Sequence, residues 1–188
     1  MKQTDFKPDN EWTLFLDRDG VLNRRLPGGY VKNPEDFVWI DGVLNSLSYF
    51  SGVFGRLIVV TNQQGIGKGL MSSNDLENIH QKMLNDVKSA GGRIDKVYFC
   101  SDLENSGSFY RKPMIGMGLK AKRDFKEIDF RKAVMVGDTL SDMRFGRRLK
   151  MKTVFISDDI SIVRSHPYYI DFRFGCLAEF AEFIRQKN

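Results

Sequence analysis

Short apolar runs and helical repeats of apolar residues alternate along the whole chain. Continuous apolar runs, typical of strands covered on both faces, lie at 12–16, 56–61, 96–100, 133–136 and 153–156, with a shorter one near Ile170. Apolar residues recur at helical spacing over 42–54, 76–87, 116–125, 142–150 and 177–185. This alternation predicts an α/β fold, with a doubly wound, mainly parallel sheet and helices on both faces.

Polar residues at the ends of these segments predict how the elements are connected. Asp41 is placed to cap the first helix, and Asn74 with Glu77 fits a variant capping box for the second. The long intervals between the polar ends of the first three strands are each filled by one helix, one strand and loops. We therefore expect residues 1–188 to form a single domain with no large cap domain and an open cleft.

The composition is that of a globular protein rather than a disordered or fibrous one. Hydrophobic residues make up 41% of the chain and charged residues 28%. The first ten residues are polar and no apolar run approaches membrane length, so a cytoplasmic location and no membrane partner are expected. The two cysteines, Cys100 and Cys176, form no C-x-x-C pair, which argues against a disulfide framework or a sequence-local zinc site.

The net charge of +5 favours an anionic partner, either a phosphorylated small molecule or a nucleic acid. The most basic stretch, at 147–152, has no interleaved aromatic residues. A solvated helix end is therefore the favoured interpretation of this stretch, and a nucleic-acid partner is not expected.

The first predicted strand leads into two carboxylates that stand one residue apart. Asp17 falls where the strand leaves the sheet, and Asp19 precedes Gly20, at which the chain turns. Taken alone, an Asp-Gly turn is frequent and needs no chemistry. Ligands of open α/β sheets, however, bind at the carboxyl ends of strands. Three further predicted strands are followed there by polar residues: Thr61 and Asn62, Arg111 and Lys112, and Asp138 and Asp142.

Together these strand ends suit phosphoryl transfer with Mg²⁺. The carboxylates of Asp17 and Asp138 and the backbone carbonyl of Asp19 are hard oxygen ligands. Lys112 offers a positive charge and Thr61 a hydroxyl donor for phosphoryl oxygens. With this support Asp17 is placed to attack phosphorus and form an aspartyl-phosphate, and Asp19 to act as general acid and base.

In this order and spacing, four motifs resemble those of the haloacid-dehalogenase-like phosphatases: Asp17-x-Asp19-Gly20, Thr61-Asn62, Arg111-Lys112-Pro113 and Gly137-Asp138-x-x-x-Asp142. Residues 16–23, 29–31, 40–43 and 60–69 resemble more closely the D-glycero-D-manno-heptose 1,7-bisphosphate phosphatases, and histidinol-phosphate phosphatases share much of this pattern. The resemblance implies a Rossmann-like haloacid-dehalogenase fold. It also implies these roles: Asp17 as nucleophile, Asp19 as acid and base, Thr61, Asn62 and Lys112 as phosphate ligands, Arg111 as a substrate contact, and Asp17, Asp19 and Asp138 as Mg²⁺ ligands.

The segment before Arg111 departs from those relatives, which commonly carry a structural zinc there in a C-x-H and C-x-C pattern. Cys100 keeps the first position, whereas Asp102, Ser108 and Tyr110 occupy the others. Because one thiolate does not hold tetrahedral zinc, we expect no zinc in this protein. The short loop 101–110 should then give this wall of the cleft a different shape, which leaves the identity of the sugar open.

Three other features each have two interpretations. Asp142 either caps a helix or supports the metal, and the two are equally favoured. The glycine-rich segment 65–69 is favoured as a loop that shapes the substrate site over a phosphate cradle. His80 lies in a helical apolar stripe and is favoured as a structural residue over a ligand.

The leading functional hypothesis is a Mg²⁺-dependent phosphatase that removes the 7-phosphate of heptose 1,7-bisphosphate, a small phosphorylated metabolite. Histidinol-phosphate phosphatase is the nearest alternative, followed by a polynucleotide 3′-phosphatase, which the positive charge motivates. A non-catalytic sugar-phosphate-binding module is the alternative from another class. The absence of an evident unpartnered helix stripe makes a monomer the expectation.

Overall fold

The computed structural model describes residues 6–26 and 28–187, so that residues 1–5, Pro27 and Asn188 lie outside the described part of the chain. The polar N-terminal stretch considered above therefore falls partly outside it. The described residues contain one sheet of six strands. These are β1 (Thr13–Leu16), β2 (Arg56–Asn62), β3 (Lys96–Cys100), β4 (Ala133–Gly137), β5 (Lys152–Ile156) and β6 (Phe172–Phe174).

The strands lie in the order β3-β2-β1-β4-β5-β6, and all neighbouring pairs are parallel. The chain moves outward from β1 to β3, returns to place β4 beside β1, and then moves outward to β6. Because the direction of winding changes between β1 and β4, a crevice opens beyond their carboxyl ends. Leu16, the last residue of β1, lies between Val59 and Val136, so the loops after β1, β2 and β4 begin close together.

Seven α-helices are present among the described residues, on both faces of the sheet. Leu14 and Leu16 of β1 belong to one buried apolar cluster, and Phe15 between them belongs to a second cluster on the other face. The helices are α1 (Val43–Val53), α2 (Gln64–Gly67), α3 (Ser73–Ser89), α4 (Gly116–Asp124), α5 (Leu140–Arg148), α6 (Ser161–Ser165) and α7 (Leu177–Arg185).

The predicted doubly wound α/β fold is confirmed, while details at the element ends differ. The prediction that Asp41 caps α1 was wrong, because the N-cap is Gly42 at φ 79° with no side-chain cap. The prediction of Asn74 as the cap of α3 was also wrong, since Ser72 and Asp75 form the reciprocal capping box. The last strand begins at Phe172, two residues after the predicted position.

Two short helices, α2 and α6, were not predicted, because segments of 4 and 5 residues are too short to show helical periodicity. One of them, α2, lies close after β2 and contains the first three residues of the predicted glycine-rich loop 65–69. Within 6–26 and 28–187, no helix combines the length and apolar character needed to cross a membrane.

Candidate active site

The carboxyl end of β1 places Asp17 at the base of the crevice. Its backbone N–H donates to the carbonyl of Val136 at 2.9 Å, which holds it to the end of β4. The residue is only 6% exposed. Its Oδ1 lies 2.9 Å from Nζ of Lys112 and accepts from the N–H of Arg18 at 2.8 Å. Both contacts fall on one oxygen, which leaves Oδ2 as the atom that is not engaged by the described residues.

Lys112 connects Asp17, the candidate nucleophile, to β2 and to α5. Its Nζ lies 2.9 Å from Asp17, 2.6 Å from Asp142 and 2.7 Å from the carbonyl of Val60. An ammonium group has three N–H donors, which is the same as the number of oxygens close to Nζ. Burial acts to lower the pKa of Lys112, but the charges of Asp142 and Asp17 outweigh it and raise this pKa. Lys112 is therefore a fixed, buried positive charge.

Asn62 holds the backbone of Lys112 through both polar atoms of its side chain. Its Oδ1 accepts from the Lys112 N–H at 3.0 Å, and its Nδ2 donates to the Lys112 carbonyl at 3.1 Å. That Asn62 also binds phosphate stays a prediction from the sequence. The structure shows a side chain that fixes the position of the lysine across two neighbouring loops.

Asp142 has the capping role that the sequence left open, together with a second role that it did not indicate. Its Oδ2 accepts from the N–H and the hydroxyl of Thr139, which caps α5. Its Oδ1 pairs with Lys112, and the residue is fully buried. Asp142 and Asp17 thereby hold the lysine between them as shared ion-pair partners.

Asp19 is held by donors that sequence reasoning did not single out. Arg18 makes two close contacts to its carboxylate at 2.9 and 3.0 Å, while Asn23 donates at 3.0 Å and Gln63 at 2.8 Å. Burial acts to raise the pKa of Asp19, but Arg18, Asn23 and Gln63 outweigh it and hold the pKa below the usual range. Gln63 also donates to the hydroxyl of Thr61 at 2.9 Å. The available signal was that Arg18 lies inside the first motif, whereas Asn23 and Gln63 lie in the longer resembling stretches 16–23 and 60–69.

His80 lies behind this group and has the surroundings of a structural residue. Its Nε2 is 3.4 Å from Nη1 of Arg18, which is itself 1% exposed. Burial, together with the charge of Arg18, lowers the pKa of His80 to about 3. The ring is therefore neutral at physiological pH and supports the arginine that holds Asp19.

Asp138, after β4, completes an acidic cluster at the crevice. One carboxylate oxygen each from Asp17, Asp138 and Asp142 lie within 4.8 Å of one another. Burial and the charge of Asp17 raise the pKa of Asp138 to about 7, although Arg25 opposes this shift. Burial likewise raises the pKa of Asp17 to about 6 despite Lys112. Carboxylates in this position favour a bound cation, so the donor set fits a hard divalent metal.

Arg25, from the loop after β1, contacts the same group of oxygens. Its Nη2 lies 2.8 Å from Oδ1 of Asp138 and 3.2 Å from the carbonyl oxygen of Asp19. The side chain is 52% exposed. The guanidinium of Arg25 therefore lies beside two of the three predicted Mg²⁺ ligands, the carboxylate of Asp138 and the backbone carbonyl of Asp19.

The crevice is a cavity of about 580 Å³ whose lining is largely polar. Arg111 lies on its wall and donates to the carbonyl of Asp102 in loop 101–110 at 3.2 Å. Gln64 at the start of α2 also lines the cavity and donates to the hydroxyl of Tyr30 at 3.1 Å. The lining brings together six of the predicted site residues: Asp17, Asp19, Thr61, Asn62, Arg111 and Lys112.

The short loop 101–110 is held at its base by side chains that replace the zinc pattern of the resembled proteins. Sγ of Cys100 lies 3.4 Å from Oδ2 of Asp102 and 3.7 Å from Oγ of Ser108. These contacts connect the end of β3 to both ends of the loop. Phe109 and Tyr110 are about half exposed beyond it.

Comparison with known proteins places this geometry in a family. The model of the family described as polynucleotide kinase 3 phosphatase matches residues 14–164, which contain the four motifs. The D-glycero-alpha-D-manno-heptose-1,7-bisphosphate 7-phosphatase of Campylobacter jejuni is 34% identical over 175 residues, covering 93% of this chain and 96% of that one. The chain is a haloacid-dehalogenase-like phosphatase of this family. The predicted family and enzyme class are thereby confirmed.

Two further known proteins are similar to this phosphatase, one in sequence and one in structure. The D-glycero-beta-D-manno-heptose-1,7-bisphosphate 7-phosphatase of Helicobacter pylori is 34% identical over 140 residues, covering 74% of this chain and 79% of that one. The crystal structure of D,D-heptose 1,7-bisphosphate phosphatase from B. bronchiseptica, complexed with magnesium and phosphate, has a TM-score of 0.81 and 25% identity. That comparison covers 94% of this chain and 99% of the other, so the whole phosphatase fold is shared.

Proposed function

We propose that this phosphatase is a Mg²⁺-dependent phosphomonoesterase that removes the 7-phosphate of D-glycero-D-manno-heptose 1,7-bisphosphate through an aspartyl-phosphate. The observation that carries the proposal is the buried Asp17–Lys112–Asp142 arrangement at the base of an open polar cavity. Relatives named for this substrate and a neighbour complexed with magnesium and phosphate support it. Because these names include both anomers, the proposal does not specify the anomer.

Asp17 is proposed as the nucleophile. Lys112 and the N–H of Arg18 hold its Oδ1, so Oδ2 attacks phosphorus while the bond from phosphorus to the leaving oxygen breaks. The ammonium group of Lys112 stays beside the phosphoryl group and stabilises the negative charge that develops on its oxygens. The hydroxyl of Thr61, at the end of β2, is proposed as a further donor to those oxygens.

Asp19 is proposed as the general acid and base. It gives a proton to the leaving alkoxide in the first step, and takes one from the water that hydrolyses the aspartyl-phosphate in the second. The donors that hold its carboxylate keep it beside the reacting group through both steps. Positioned proton transfer of this kind contributes roughly a hundredfold to ten-thousandfold to the rate.

The proposed Mg²⁺ ligands are the carboxylates of Asp17 and Asp138 and the backbone carbonyl of Asp19. When bound, the metal supplies the positive charge that the crowded carboxylates and the phosphoryl oxygens require. Asp142 is not assigned as a ligand, because its two oxygens are already engaged by Lys112 and Thr139. Its role in the proposal is to keep the lysine in place.

Substrate choice is proposed to depend on the open wall of the cavity. A volume of about 580 Å³ lies within the range of small-molecule sites, and polar side chains suit the hydroxyl groups of a sugar. Arg111 is proposed to contact the substrate from the base of loop 101–110. A cytoplasmic location, a monomeric state and the lack of a zinc ion remain predictions from the sequence.

The decisive experiment measures phosphate release with Mg²⁺ from heptose 1,7-bisphosphate, histidinol phosphate and a 3′-phosphorylated oligonucleotide in parallel. We expect the heptose bisphosphate to have the highest kcat/KM, and Asp17→Asn to abolish turnover. Asp41→Asn is the matched control, because that carboxylate is 93% exposed outside the cavity. Faster turnover of histidinol phosphate would contradict the substrate assignment. Unchanged turnover in Asp17→Asn would contradict the mechanism.

A polynucleotide 3′-phosphatase is the second candidate, favoured by the description of the matching family and by the net charge of +5. It requires that the protein bind oligonucleotides through several phosphates. Its kcat/KM should then fall steeply with salt concentration, because each neutralised phosphate releases counterions. A weak salt dependence with the oligonucleotide would exclude this candidate.

A further inference from the structure

Arg25 places its guanidinium group at two oxygens of the proposed metal site. Its Nη2 lies within 2.8 Å of Oδ1 of Asp138 and within 3.2 Å of the carbonyl oxygen of Asp19. A nitrogen that close to both oxygens occupies the space from which one cation would bind them together. The guanidinium and a divalent metal therefore compete for this position.

The surroundings of Arg25 allow it to leave that position without burying a charge. The side chain is 52% exposed and lines the cavity. Its hydrogen bonds to the described residues are made by Nη2, whereas Nε and Nη1 have none. Arg25 follows the structured turn at Asn23 in a loop whose neighbouring side chains are exposed. A displaced guanidinium can thus turn into the cavity with several free donors.

We propose that Arg25 is the counter-cation of the metal-free site, that Mg²⁺ displaces it, and that the displaced guanidinium binds a phosphate group of the substrate. This inference rests on the proposed function, since it uses the metal site assigned there. A planar guanidinium matches two phosphate oxygens at once, which suits Arg25 to this second position. Metal binding and phosphate binding are then coupled, because the metal frees the residue that binds the anion.

Arg24 provides a matched control. It is the neighbouring arginine in the same loop and is also exposed, but its guanidinium lies 3.3 Å from Asp41, whose side chain is 93% exposed. Arg24→Gln therefore removes the same charge from the same loop without touching the proposed metal site. We expect both variants to fold like the wild type, because each changes an exposed side chain.

The test measures Mg²⁺ binding by isothermal titration calorimetry without substrate, in the wild type, Arg25→Gln and Arg24→Gln. We expect Arg25→Gln to bind Mg²⁺ about fivefold more tightly, the factor that corresponds to the roughly 1 kcal/mol upper end of partly exposed ion pairs. Arg24→Gln should match the wild type. Equal or weaker Mg²⁺ binding in Arg25→Gln would overturn the inference. No Mg²⁺ binding in any of the three proteins would overturn the proposed function as well.

A second titration examines the released guanidinium with inorganic phosphate as the probe. With saturating Mg²⁺, we expect Arg25→Gln to bind phosphate at least about threefold more weakly than the wild type and Arg24→Gln, as expected for one lost charge-assisted hydrogen bond in an open cavity. Without Mg²⁺, the three proteins should bind phosphate alike. A phosphate affinity in Arg25→Gln that equals the wild type at saturating Mg²⁺ would overturn the second half of the proposal.

Discussion

Replacing Lys112 by methionine should strongly destabilise the protein, because it leaves two buried carboxylates without their shared partner. Asp17 is 6% exposed and Asp142 is fully buried, and Nζ of Lys112 lies 2.9 and 2.6 Å from them. Methionine keeps much of the length of the side chain but removes the charge and the three N–H donors of the ammonium group. Breaking a buried ion pair by removing one partner costs about 3–5 kcal/mol. With two partners affected and Asp17 lining the open cavity, we expect about 4 kcal/mol at pH 8.

The loss in the Lys112→Met variant should depend on pH with a defined sign. Burial already raises the pKa of Asp17 to about 6 against the pull of the lysine, and without Lys112 this pKa rises further. A carboxyl group whose pKa is raised by folding contributes stability below its unfolded pKa, and this stability is lost as the pH rises through the folded value. The variant should therefore regain at least about 1 kcal/mol relative to the wild type between pH 8 and pH 5.5.

Urea unfolding of the metal-free proteins at pH 5.5 and pH 8 provides the assay, with the midpoint and the m-value compared. Lys82→Met is the matched control, since Lys82 pairs with Asp86 at positions that are 36% and 31% exposed. That pair should contribute less than about 1 kcal/mol at either pH. A loss in Lys112→Met below about 1 kcal/mol at pH 8, or an equal loss at both pH values, would refute the reasoning.

Four further outcomes follow from the site. Stabilisation by Mg²⁺, measured as a shift in Tm, should increase from pH 5.5 to pH 8, because the pKa of Asp138 is raised to about 7 and the metal requires the ionised form. Gly20→Ala should weaken Mg²⁺ binding at least about tenfold, because a Cβ there would lie 1.9 Å from Oδ2 of Asp138, whereas Gly69→Ala, at φ +68° with open space, should not. Asn62→Ala should lower stability by about 1–2 kcal/mol in urea unfolding and reduce kcat, because it removes two hydrogen bonds that hold the lysine. With saturating Mg²⁺, which favours the ionised forms of Asp17 and Asp138, phosphate binding should take up more protons in the wild type than in the Asp19→Asn variant, as measured by calorimetry in buffers of different ionisation enthalpy.

The sheet and the order of the motifs were readable from the sequence because their signals are local. A buried parallel strand is a short apolar run, and the polar residue after it marks its carboxyl end. The same logic correctly brought Asp17, Thr61 and Lys112 to one cavity. The helix starts were less readable, since Ser72 and Asn74 both offer capping side chains and only the path of the chain selects Ser72.

The contacts that give each site residue its role were not readable, because they join loops far apart in the chain. The Asn62 side chain meets the backbone of Lys112, and Arg25 reaches Asp138, although nothing in either local pattern specifies the partner. Sequence pattern identified Asn62, Lys112 and Asp138 as polar groups after strands, and it did not single out Arg25. Whether a group holds phosphate, a lysine or a carboxylate depends on the tertiary arrangement of the loops.

The pKa of Asp17 is raised and that of Asp19 is lowered. These opposite shifts imply that Asp19, the proposed general acid, gains its proton when the substrate binds and not before. A nucleophile must be ionised, and with a pKa of about 6 Asp17 is mostly so at neutral pH. A general acid must carry a proton, yet Arg18, Asn23 and Gln63 hold the pKa of Asp19 low against the effect of burial. A phosphate group brought beside Asp19 adds negative charge and favours its protonated form. Gln63, which contacts both Asp19 and Thr61, connects the proposed phosphate contact to this carboxylate. The proton for the leaving group should therefore be bound together with the phosphate.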